Sequence, residues 1–90
     1  MKEITKEKLN KYIKLAEKAL KKVKQSNPKG EEALDLLNLS ECYYKDALHF
    51  KGKDDLVNSF AAINYSHAFL DIGARLKLFK VKDSKLFMVD

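Results

Sequence analysis

One cysteine, one proline and three glycines are all that the 90 residues hold of the types that staple, break or loosen a chain. A lone thiol, Cys42, permits no internal disulfide, so cysteine content gives no reason to expect a secreted scaffold. So little proline and glycine leaves little room for long loops. A long hydrophobic run is missing too. The longest uncharged stretch, residues 56–70, is interrupted by Asn58, Ser59, Asn64, Ser66 and His67, and it is shorter than the roughly 20 residues that span a bilayer. The opening MKEITKEKL lacks the apolar core of a secretory signal. Catalytic signatures are equally sparse. There is no glycine-rich phosphate loop, no serine or cysteine beside an obvious base, and no zinc-ligand spacing. No histidine follows the single arginine, Arg75, so a helical nuclease of the type paired with nucleotidyltransferases would lack its Arg–His signature. These absences lead us to expect a soluble, cytoplasmic, noncatalytic protein that uses no cofactor.

What is present points to helices. Hydrophobic residues make up 46% of the chain and charged residues 34%, nearly all of them Lys, Asp and Glu. That balance suits a single globular domain of long helices with solvated outer faces. The net charge of +5 is uneven. Residues 1–30 carry ten lysines against three glutamates, for +7, and the remainder of the chain carries −2.

Periodicity places the elements. Leu9, Tyr12, Ile13, Ala16, Leu20 and Val23 recur at three- and four-residue steps, with Thr5 as a cap, and predict a first helix over about 5–26. Pro28 closes it. Leu36, Leu39, Tyr43, Ala47 and Phe50, broadened by Leu37, Tyr44 and Leu48, predict a second helix over about 31–51, stopped by a left-handed cap at Gly52. Asp54 or Asp55 then caps a third helix, about 54–79, whose stripe is Leu56, Phe60, Ile63, His67, Leu70 and Ala74. Apolar residues surround more of this helix than of the others, so it is expected to be the most buried. Gly73 inside it suggests a close helix approach or a weak point. The fold class is therefore all-α: an up-down-up three-helix bundle with a short extended or hairpin-like C-terminal arm over 80–90. The arm ends Leu86-Phe87-Met88-Val89, and four apolar residues should either fold back on the bundle or meet a partner.

From YYKDALHF through the GKDD turn to YSHAFLDIGARLKLF, the chain resembles a family of short archaeal proteins known as domain of unknown function 357. Tyr43, Tyr44, Asp46, Ala47, His49, Phe50, Tyr65, His67, Leu70, Asp71, Gly73, Arg75 and Leu76 carry that resemblance. It implies a three-helix bundle and an archaeal cytoplasm, and implies no substrate, cofactor or catalytic residue.

Asp46 with His49, and His67 with Asp71, each set an acid and an imidazole on one helix face. An antiparallel hairpin turning at Gly52 puts the two histidines roughly 16 Å apart in height, at 1.5 Å per residue. That is too far to share a metal, so no metal is expected. Asp71 and Arg75 are spaced to pair along the helix; with Lys21 and Lys22 they form a candidate anion- or partner-binding end. Lys14 and Lys18 belong to a possible polyanion face. Tyr44, Asp46 and His49 form a candidate partner patch, since tyrosine supplies contact area at low entropic cost. The leading reading is a noncatalytic module that binds a protein partner or itself. The alternative is binding of RNA or another polyanion through the lysine-rich first helix, expected to be weak. A third is a nucleotide-associated enzyme module using Asp46, His49, His67, Asp71 and Arg75.

Overall fold

The computed structural model describes residues 4–87. Three helices follow in order: α1, Lys6–Gln25; α2, Glu31–Gly52; and α3, Leu56–Arg75. Among the described residues there is no strand, and the chain is the expected all-α three-helix bundle. Each boundary has a local cause. Thr5 Oγ1 accepts the Lys8 amide at 3.0 Å and starts α1. The Asp55 carboxylate accepts the Asn58 amide at 3.1 Å and starts α3. Gly52 does not take the left-handed cap expected of it. The chain reverses one residue pair later, at Asp54, with φ of 60°, and an aspartate tolerates that region better than most side chains.

α2 and α3 form a close antiparallel hairpin whose seam is lined with small residues. Ser40 Oγ donates to the Ser66 carbonyl at 2.7 Å, and Ser66 Oγ donates back to the Ser40 carbonyl at 2.8 Å. One level further along, Ser59 Oγ donates to the Ala47 carbonyl at 2.6 Å. All three serines are fully buried. Their hydroxyls are short enough to let two backbones approach, and each is satisfied by the helix it faces. α1 lies across one side of this hairpin. Leu9, Ile13 and Ala16 meet Ala47, Ala62 and Ile63 in one half of the core. Ala19, Leu20 and Val23 meet Ala33, Leu70 and Ala74 in the other half.

α3 ends at Arg75, four residues short of the span its apolar pattern suggests. The reason is the arm. Lys77 adopts φ of 63°, and the amides of Leu78 and Phe79 both turn back to the Gly73 carbonyl. Phe79 then lies on Gly73, where a Cβ would stand 2.1 Å from its ring. The close approach that Gly73 permits is thus made by Phe79 rather than by another helix. The arm folds back on its own bundle, and Phe79, Leu86 and Phe87 are buried in the core half formed by the ends of α1 and α3. It is irregular rather than a hairpin, with one turn at 84–86. Met88 and Val89 lie outside the described residues.

Candidate protein-docking face

α1 covers only one flank of the α2–α3 hairpin. The other flank carries large apolar side chains facing water. Leu39 on α2 is 42% exposed; on α3, Tyr65 is 58% and Ile72 is 45% exposed, and Leu76 just beyond its end is 65% exposed. Between them Tyr43 spans the two helices. Its ring stacks on Phe69 with centroids 5.7 Å apart and packs against Tyr65 at 5.4 Å. Helical spacing explains the row on α3, since Tyr65, Phe69, Ile72 and Leu76 follow one another at four, three and four residues. Along the neighbouring edge of α2 run Glu32, Asp35 and Asp46, all exposed. The face is therefore an aromatic and aliphatic strip with carboxylates along its α2 side. Single exposed apolar residues are ordinary on a protein surface, but a contiguous strip built around stacked rings is not.

The residues singled out from sequence fall in different places. Tyr44 points toward α1: its hydroxyl donates to Glu17 Oε2 at 3.0 Å, and the ring packs against both core halves. Burial, then the hydrogen bond to Glu17 and its charge, raise the Tyr44 phenol above its ordinary value. Asp46 is two residues on, about 200° around the helix, and is exposed. His49 is exposed as well, with its ring edge on Phe50 at 5.6 Å. The trio is not brought together, and only Asp46 borders the apolar strip.

At the other end, His67 Nε2 meets the Leu86 carbonyl and stands 3.8 Å from Asp71. A carbonyl only accepts, so Nε2 carries the proton in that contact. His67 thereby holds the arm rather than facing His49. Among the described residues no group of three or more His, Cys, Asp or Glu could hold a metal ion. Arg75 is exposed in the last turn of α3, and Lys14, Lys18, Lys21 and Lys22 are exposed along α1. Leu86 lines a groove with Lys18 and Lys22, so the arm lies between these lysines and His67.

The residues that pattern reading missed are Tyr65, Phe69, Ile72 and Leu76, together with the exposure of Leu39. A usable signal was present. α3 is apolar around more of its circumference than one contact with a three-helix core can bury, and the surplus is this strip.

The family model for a protein of unknown function (DUF357) matches residues 11–79. The chain belongs to that family. The matched segment runs from α1 through Phe79 and so includes the whole hairpin and its uncovered flank. No curated protein and no solved structure matches the chain. No described helix is long and apolar enough to cross a membrane.

Proposed function

We propose that this DUF357 protein is a noncatalytic protein-interaction module, and that the uncovered flank of the α2–α3 hairpin is its docking surface. The observation that carries this reading is the Tyr43–Tyr65–Phe69 ring cluster, flanked by the exposed side chains of Leu39, Ile72 and Leu76. Rigid aromatics held by their neighbours lose little entropy on binding and dominate interface energetics. The occupant we assign is an amphipathic helix with basic flanks. A helix laid along the strip would fill the groove that two antiparallel helices leave, at the same spacing as α1 on the other flank. Basic flanks follow from the rim, where Glu32, Asp35 and Asp46 are exposed on α2. The same rim disfavours a second copy, because a two-fold pairing of this face would set these carboxylates near one another. We place the module in an archaeal cytoplasm, a setting that the family resemblance supports.

Calorimetric titration tests the reading. The probe is a 20-residue synthetic helical peptide with leucines on one face and lysines on its flanks; a counterpart carries glutamates instead. The lysine peptide should bind in the micromolar range, and the glutamate peptide at least tenfold more weakly. Tyr65→Ala with Ile72→Ala should reduce lysine-peptide binding at least tenfold. Equal affinity of both peptides, or of the double variant, would remove the proposed surface. A dimer in sedimentation that Tyr65→Arg dissociates would replace the helix partner with a second copy.

A further inference from the structure

The arm changes the charge map in a way that residue order conceals. The acidic part of the chain is the hairpin: residues 31–74 carry three lysines and eight acids, a net −5. The basic parts are the α1 segment and the arm, and the fold brings them side by side. One groove of about 530 Å³ runs between α1 and the arm and is lined by Lys18, Lys21, Lys22 and Lys85. A second, of about 390 Å³, lies where the α1–α2 turn meets the end of α3, between Lys29, Lys77 and Lys80. A third, of about 780 Å³, shares Lys77 and Lys80 with it and adds Arg75 and Lys82. Among the described residues the only carboxylate lining any of the three is Asp83. It is engaged in its own turn, accepting the Lys85 amide at 2.9 Å. Among the described residues none of the lysines just named makes an ion pair.

We infer that this basic track binds the backbone of a single-stranded nucleic acid. Three observations favour an extended phosphodiester chain. The cations border successive concavities rather than one enclosed pocket, which suits a ligand with regularly spaced charges. All but one are lysines, whose point charges suit phosphate contact without a fixed geometry. A flat anionic membrane would meet the rims of these grooves and leave their floors unfilled. Stacking adds little, because Phe79 and Phe87 are buried in the core; binding is therefore backbone-directed and indifferent to sequence. The track follows α1 and the arm and reaches the end of α3, where Arg75 and Lys77 flank Leu76 in the chain.

The experiment is fluorescence anisotropy with a labelled 20-nucleotide oligouridylate, read against salt. Each neutralised phosphate of a single strand contributes about −0.7 to the slope of log affinity on log salt. Four to six contacts give a slope of about −3 to −4 for the native chain. Replacing Lys29, Lys77 and Lys80 together by Gln should weaken binding more than tenfold at low salt and make the slope shallower by about 2. Replacing Lys8 and Lys11, at the other end of α1, should leave the slope unchanged. These lysines are exposed, so both variants should keep the native melting temperature. Phosphatidylserine vesicles and inorganic tripolyphosphate serve as competitors. The inference is overturned if the native chain does not bind the oligonucleotide, if the triple variant keeps the native slope, or if the Lys8/Lys11 variant loses as much as the triple one. Binding to vesicles with none to the oligonucleotide, or displacement by tripolyphosphate at equal phosphate concentration, would assign the track to a lipid surface or a compact phosphate instead.

Discussion

The two flanks of the α2–α3 hairpin are both apolar, yet they are built from different residues. The flank covered by α1 is made of Ala33, Ala47, Ala62, Ile63, Leu70 and Ala74, small or aliphatic and almost fully buried. The uncovered flank is made of tyrosines, a phenylalanine and large aliphatics with a carboxylate edge. Small side chains let α1 approach closely and fill the space without voids. Large rings on the open flank pack on one another instead, and leave their outer surfaces available. One flank is buried by α1; the other keeps large side chains exposed, and on our proposal it is the docking surface.

The largest losses of stability should come from the buried side of the molecule, where the arm packs into the core. Phe79→Ala should destabilise the protein by about 3–5 kcal/mol, as for other buried aromatics, in a denaturant titration. Gly73→Ala should also destabilise, by about 1–3 kcal/mol, because its Cβ would meet the Phe79 ring. The pair sharpens the point. In the Phe79→Ala background the obstruction is gone, and Gly73→Ala should become neutral or stabilise by up to about 1 kcal/mol, the helix-propensity gain. Additive effects would mean that Phe79 does not rest on Gly73. Ser40→Ala should cost about 1 kcal/mol, because it removes the hydroxyl bonded to the Ser66 carbonyl. On the open flank the ordering reverses. Tyr65→Ala should change stability by no more than about 0.5 kcal/mol, as for surface positions. A loss of 2 kcal/mol or more there would place Tyr65 in the core.

The smallest effect is a titration. The Tyr44 phenol is raised by burial and by Glu17, so its protonated form is favoured by folding. Stability from this contact is present below the ordinary phenol value near 10 and declines as pH rises through the raised one. Tyr44→Phe should therefore flatten the alkaline limb of a melting-temperature profile; an unchanged limb would remove Tyr44 from that account.

How far the sequence could be read depended on the helix. On α1 the stripe of Leu9, Ile13, Ala16, Leu20 and Val23 is the buried face, because lysines fill the rest of the circumference and leave one solution. On α2 and α3 no such contrast exists. Leu39 and Tyr43 read as core from their spacing, although Leu39 is exposed and Tyr43 half-buried. The serines that interrupt the apolar run, Ser59 and Ser66, are among the most completely buried residues in the chain. Hydropathy treats a serine as a break, whereas a close helix seam needs a small residue with a hydroxyl to give to the facing carbonyl. The basic track was legible only in part: Lys18, Lys21, Lys22 and Arg75 stood out in sequence, whereas the lysines of the turns and the arm did not. Lys29 and Lys77 belong to turns far apart in sequence, and only the fold-back of the arm, fixed by Phe79 on Gly73, places them around one groove.

Amide chemical shifts of the labelled protein, followed while the lysine-flanked helical peptide is added, will show whether the exposed strip docks a helix. The largest changes should fall at Leu39, Tyr43, Tyr65, Phe69, Ile72 and Leu76, with the amides of α1 nearly still. Changes centred on α1, or none at saturating peptide, would contradict that docking.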